Sequence, residues 1–208
     1  MSIPSVTFPD SARLVALVLV FGMLLVGCGS SDRAVPTSGI PAALLRQARP
    51  IGRGARFRPL ARGPVTGDCR RRLGRRSGVH VEVFAANRVV IVAAGIGTRP
   101  PRVFAAGRIS RAACYGDLVT LEPTGVVLVR PGLRPLLSEL FRAWGQPLSP
   151  GRLASFSAPA GRPVAVFVDG QRWPGSPGSV PLAVHSEIVL EVGPHVPPHV
   201  SYTFPPGT

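Results

Sequence analysis

From Val79 onward the chain is built of short β-branched apolar runs broken by turn-forming pairs, a pattern that predicts strands rather than helices. VHVEVFA (79–85) and RVVIVAA (88–94) flank Ala86-Asn87, and Asn accepts the positive φ that a tight hairpin needs. LVTLEP (118–123) and GVVLVRP (125–131) form a second pair around Thr124-Gly125. PVAVFV (163–168), Asp169-Gly170 and QRW (171–173) make a third hairpin, and EIVLEVG (187–193) supplies a last strand. One segment keeps a different period. Leu136, Leu137, Leu140, Phe141 and Trp144 recur on one helical face, with Pro135 suited to the first turn and Gly145 to the stop. Phe141 and Trp144 are expected to pack that helix on a sheet.

Upstream, residues 14–27 are an unbroken apolar run that follows Arg13 and ends at Cys28. A bilayer-crossing helix needs about 20 apolar residues, whereas the core of an export signal runs to roughly 7–15. Leu25-Val26-Gly27-Cys28 resembles the lipobox of bacterial lipoprotein precursors. In those proteins diacylglycerol is attached to the cysteine sulfur and the signal is cut just before it. The alternative is an uncleaved membrane anchor. Two or three acyl chains on Cys28, palmitate among them, would hold the chain stably on the extracytoplasmic side of the cell membrane.

The expected organisation is a signal peptide over 1–27, a lipidated cysteine with a basic flexible tether over 28–76, and a single domain over 77–208. The chain has 208 residues, enough for one domain with appendages. All 24 basic residues are arginine, which excludes Schiff-base, phosphate-loop and dyad chemistry based on lysine. The net charge of +14 would point a cytosolic protein to nucleic acid. For an exported chain no nucleic acid is expected, and the polyanions at hand are lipid head groups and envelope polymers. The tether arginines, among them Arg70, Arg71, Arg72, Arg75 and Arg76, read in two ways. They form either a solvated spacer or a surface held electrostatically against anionic lipid.

Several stretches together resemble a family of uncharacterised exported bacterial proteins whose pattern includes HxHxHL, CxYWLHTHDxxGIIHIE, FTLGxFFDxWG and a terminal YTFP. The counterparts here are Cys69, His80 to Phe84, Ala94 to Gly97, Cys114-Tyr115, Thr124 to Val127, Leu136 to Gly145, Val168 to Gly170, Pro181 to Gly193 and Tyr202 to Pro205. The resemblance runs from about Cys69 to the end and implies no activity that could be transferred. A histidine-rich strand implies a metal or proton-linked site, because alternate imidazoles project from one face. This chain departs from it. Arg76, Gly78, Val119, Leu121 and Leu128 stand where the pattern has histidine or its neighbours.

Candidate chemistry is correspondingly thin. No HxH, HExxH or CxxC spacing is present, so no metal site is expected; His80 and His185 are the weak candidates. No G-x-S-x-G elbow occurs, and GIGT (95–98) lacks the third glycine and the following helix of a phosphate loop. Asp117 and Glu122 read as turn charges rather than a hydrolytic pair. Cys69 and Cys114 remain once Cys28 is acylated, and outside the membrane that even count implies a disulfide. The expectation is an α+β fold: a small β-rich domain of hairpins, one helix packed on the sheet, β-grasp-like. Its expected role is a non-enzymatic binding or interaction module for an unknown protein, anionic lipid or envelope polymer, without a cofactor. The alternative is an envelope protein that binds a metal or small ligand.

Overall fold

The computed structural model describes residues 49–194 and 197–208. The segment expected as an export signal, Cys28 and His195 lie outside them. In chain order the strands are β1 (Ser77–Ala85), β2 (Arg88–Val89), β3 (Thr98–Ala105), β4 (Arg108–Tyr115), β5 (Leu118–Val119), β6 (Val126–Val129), β7 (Leu148–Ser149), β8 (Arg152–Leu153), β9 (Phe156–Ser157), β10 (Ala165–Val168), β11 (Gln171–Arg172) and β12 (Glu187–Val192). Helix α1 (Leu137–Trp144) falls between β6 and β7. Among the described residues no helix is long and apolar enough to cross a membrane.

A seven-stranded sheet in the order β11-β10-β12-β1-β6-β5, with β2 beside β1, forms the centre. β1 pairs antiparallel with β6 and parallel with β12, and β10 pairs antiparallel with β12. An antiparallel first pair, a helix, and a last strand that returns parallel beside the first is the arrangement of a β-grasp sheet. The expected α+β class is what the chain adopts.

Side chains alternate across a strand, so β1 serves two layers. Val79, Val81, Val83 and Ala85 belong to the main core with Ile188, Leu190 and Val192 of β12. Leu137, Leu140, Phe141 and Trp144 of α1 belong to the same core, and burying each stabilises the fold by roughly 1.5–3 kcal/mol. Gly145 ends the helix in the left-handed conformation, and its N–H donates to Arg142 O and Phe141 O. Leu136, expected on the buried face, stands at the N-terminal boundary and is exposed. The helix start is satisfied by Glu139, whose carboxylate accepts from the Leu136 N–H at 3.0 Å.

Three expectations are corrected. RVVIVAA contributes only Arg88–Val89 to the sheet. Beyond Val90 the chain turns inward, with Ile96 buried and Gly97 packed so closely that a Cβ there would lie 1.8 Å from Leu118 O. GIGT is therefore a packing loop. Second, the β3–β4 hairpin has no counterpart in the sequence reading, because Pro100-Pro101 breaks the strand pattern. The structure accommodates the prolines at a register shift between Arg99 and Arg102, as bulges allow.

Third, residues 49–76, expected as flexible tether, pack against the domain. Arg62 N–H donates to Trp144 O, Trp144 Nε1 donates to Pro59 O at 3.1 Å, and Phe57 lies against Phe156. Cys69 and Cys114 are disulfide-bonded with Cα atoms 5.3 Å apart. Beside the bond, Arg70 and Tyr115 exchange backbone hydrogen bonds of 2.9 and 2.8 Å.

Candidate functional site

The second face of the sheet carries the unusual chemistry. On β1 it presents Gly78, His80, Glu82 and Phe84; on β12 it presents Glu187, Val189 and Glu191. Phe84, Phe167 and Val189 form an apolar patch at one side, and Val119, Leu121 and Leu128 form part of another with Ile109 of β4. Between them runs a buried polar line, strapped by the segment 197–208.

His80 sits opposite Glu187 in the parallel register. Its Nδ1 is 2.7 Å from Glu187 Oε2, and its Nε2 is 2.9 Å from Thr124 O. A carbonyl only accepts, so Nε2 carries a proton and donates it. A second proton is shared between Nδ1 and the Glu187 carboxylate. Thr124 O reaches the ring because Gly125 follows it at φ 83°, where a Cβ would lie 2.5 Å from Val81 O and 3.0 Å from His80 Nε2. Burial pushes the Glu187 carboxyl upward, opposed by its hydrogen bond to His80.

The strap completes the site. Tyr202 stacks on His80 with ring centroids 3.8 Å apart and planes 12° from parallel. His199 Nδ1 lies 2.5 Å from Glu82 Oε2, and that hydrogen bond raises the His199 pKa against the opposing effect of burial. Phe204 lies over Gly78, where a Cβ would come within 2.7 Å of its ring. Burial also raises the Tyr202 pKa, reinforced by Glu187, Glu122 and Glu82.

One ring nitrogen of His80 and one carboxylate oxygen each from Glu82 and Glu187 all lie within 4.8 Å of one another. His185 is not among them. Its ring packs against Phe204, and its Nε2 donates to Thr208 O at 2.7 Å. Sequence reasoning thus named His80 and missed its acidic partners. The signal was present: Glu82 is two residues from His80 and so on the same strand face, and Glu187 and Glu191 interrupt an otherwise apolar strand.

Tyr202, which stacks on His80, also lines a cavity of about 270 Å³. Leu73, Leu121, Val126 and Leu128 give it apolar walls, and Arg75, Arg108, Glu122, Tyr202 and the tail residues Pro205 to Thr208 line it as well. Arg108 is paired with Glu122, while Arg75 is exposed and has no ion-pair partner among the described residues.

The other predicted residues fall into place as follows. Arg70, Arg71, Arg72 and Arg75 are at the surface. Arg76 is not: it is buried, and its guanidinium donates to Leu73 O, Gly116 O and Asp117 O. It fixes the 73–76 turn to the β4–β5 connection and is unavailable to a membrane surface. Asp117 pairs with Arg130. No protein-family model, curated protein or solved structure matches the chain.

Proposed function

We propose that the protein is a lipid-anchored envelope module that binds a small amphipathic anion without transforming it, in the cavity closed by Tyr202 and the C-terminal strap. The supporting observation is the wall composition: apolar Leu73, Leu121, Val126 and Leu128 beneath an unpaired Arg75. Binding pockets combine an apolar lining with a few polar groups that fix orientation, and a guanidinium suits a carboxylate, sulfate or phosphate head. Cys28 would hold the domain at the membrane, where amphiphiles are abundant.

The test uses the mature chain without acyl groups, from position 28 with Cys28→Ser, and the amphipathic anion anilinonaphthalene sulfonate. Fluorescence should rise to saturation at one equivalent, be reversed by octyl sulfate, and weaken about tenfold in Arg75→Glu. That corresponds to about 1.4 kcal/mol of lost interaction. Non-saturable fluorescence that ignores Arg75→Glu contradicts the reading.

A second reading rests on the β3–β4 hairpin. Phe104 is 60% exposed and Val103 43% exposed, with Arg99, Arg108 and Arg111 exposed on the same hairpin. Apolar side chains ringed by arginine fit the interface of an anionic bilayer. Co-sedimentation of the same chain with phosphatidylglycerol vesicles should fall in Phe104→Ser and in high salt, and equal binding of the variant removes this reading.

A further inference from the structure

We propose that His80, Glu82 and Glu187 form a site for one first-row divalent metal ion of the zinc class, with Thr124 O and His199 as outer partners that orient the ligands. No HxH, HExxH or CxxC spacing marks this site, because its acidic donors come from two strands far apart in the chain. Two carboxylates joined to one imidazole provide three protein ligands, the number found in metal sites that keep an open position. One nitrogen and several oxygen donors suit the harder and borderline divalent ions rather than Cu⁺.

Four features of the chain carry the assignment. The three donor atoms already converge within 4.8 Å from two adjacent parallel strands, so closing onto an ion needs only side-chain adjustment. The His80 Nε2–H is committed to Thr124 O, which leaves Nδ1 as the ligating atom. A backbone carbonyl on the far nitrogen is the common way to fix a metal-binding imidazole. Glu82 is held from outside by His199 at 2.5 Å, the same kind of support for a carboxylate.

The fourth feature is electrostatic. The Glu187 side chain is fully buried, and its Oε1 has no hydrogen-bond partner. A buried carboxylate oxygen left unpaired is costly. In a chain with 24 arginines, the ion pairs of Glu82 and Glu187 among the described residues are with histidine. A cation between the two carboxylates would engage the orphaned oxygen. A cavity of about 100 Å³ lined by His80, Glu82, Pro123, Thr124 and Gly125 borders the site and supplies a way in.

Metal binding replaces the proton shared by His80 Nδ1 and Glu187. The ion bonds to the nitrogen and the carboxylates, and the displaced proton leaves to solvent. No electron changes hands. The inference is independent of the amphipathic-anion reading, although both sites touch Tyr202.

The test is titration of the full chain, in phosphatidylcholine nanodiscs and freed of metal by chelator, with Co²⁺ and then Zn²⁺. Expected are a visible Co²⁺ ligand-field spectrum saturating at one ion per chain, its loss on adding Zn²⁺, and proton release measured in weak buffer. Glu187→Gln and His80→Gln should abolish the spectrum. Glu82→Gln, at a partly exposed position, serves where those two fail to fold and should abolish it as well. His199→Gln should weaken binding about 10- to 100-fold, as loss of an outer partner does. No saturable spectrum in the unmodified chain, or a spectrum unaltered in Glu82→Gln, overturns the proposal.

Discussion

Removing the Cys69–Cys114 bond by the double change Cys69→Ala, Cys114→Ala should lower stability by about 4 kcal/mol. The bond closes a sequence separation of 45 residues. In the chain-entropy treatment, opening such a loop returns about 13 cal/mol/K to the unfolded ensemble, which is about 4 kcal/mol at 25 °C. Native-state relaxation should subtract little. The Arg70–Tyr115 backbone pair, the Arg76 bonds to Gly116 and Asp117, and the Asp117 N–H to Thr66 O hold both ends in place without the sulfurs. Urea unfolding of the chain from position 28 onward, followed by the fluorescence of buried Trp144, reads the effect. The same experiment should show a steeper denaturant slope, because the unlinked unfolded chain exposes more surface. A loss below about 1 kcal/mol with an unchanged slope would refute the entropic reasoning.

Three further outcomes are expected, the first from the sequence and the other two from the structure. Cys28→Ser should abolish incorporation of a fatty-acid probe in cells, and undiminished label would remove the lipoprotein reading. Gly125→Ala forces a side chain into φ 83° and against Val81 O, so it should cost more than about 1 kcal/mol; a neutral urea midpoint would show that the Thr124–His80 contact does not depend on this turn. Without metal, stability should fall as pH rises. His199 gains affinity for its proton from Glu82, with Glu187 adding to and Arg49 opposing the effect, and burial raises Glu187. For both groups the folded state holds the proton more tightly. Their contribution is complete below the unfolded values, near 6.5 for histidine and 4.3 for glutamate, and is lost as pH climbs through the higher folded values. Urea midpoints in chelator should decline between mildly acidic and alkaline pH and flatten in His199→Gln; a rising midpoint contradicts the assignment.

The strands most legible in the sequence are those where period-two alternation and a turn pair coincide. β10, β11 and β12 lie inside their expected runs, β1 starts ahead of its run at Ser77, and Asn87 and Asp169 both adopt the positive φ their turns require. The helix was legible from its apolar spacing. What escaped has a physical reason in each case. The β3–β4 hairpin is a two-stranded sheet of its own whose Thr98–Ala105 strand is mostly exposed, so burial imposes little apolar alternation on that strand, and two prolines mask it. Residues 49–63 pack through backbone carbonyls and isolated rings, such as Pro59 O to Trp144 and Phe57 to Phe156, which leave no periodicity. The buried acids escaped because charge is ordinarily read as surface. Only the parallel register of β1 with β12 brings Glu187 opposite His80.

The most direct test of the proposed binding role is to locate the ligand. In a methyl-labelled chain from position 28 carrying Cys28→Ser, octyl sulfate should shift the methyl resonances of Leu73, Leu121, Val126 and Leu128, which line the cavity. The methyls of Leu137, Leu140, Ile188 and Leu190 in the opposite core should stay unmoved. The shifts should saturate together at one equivalent and vanish in Arg75→Glu. Shifts confined to exposed Leu60, Val184 and Val200, or spread through the core without saturation, would contradict a binding site beneath the strap.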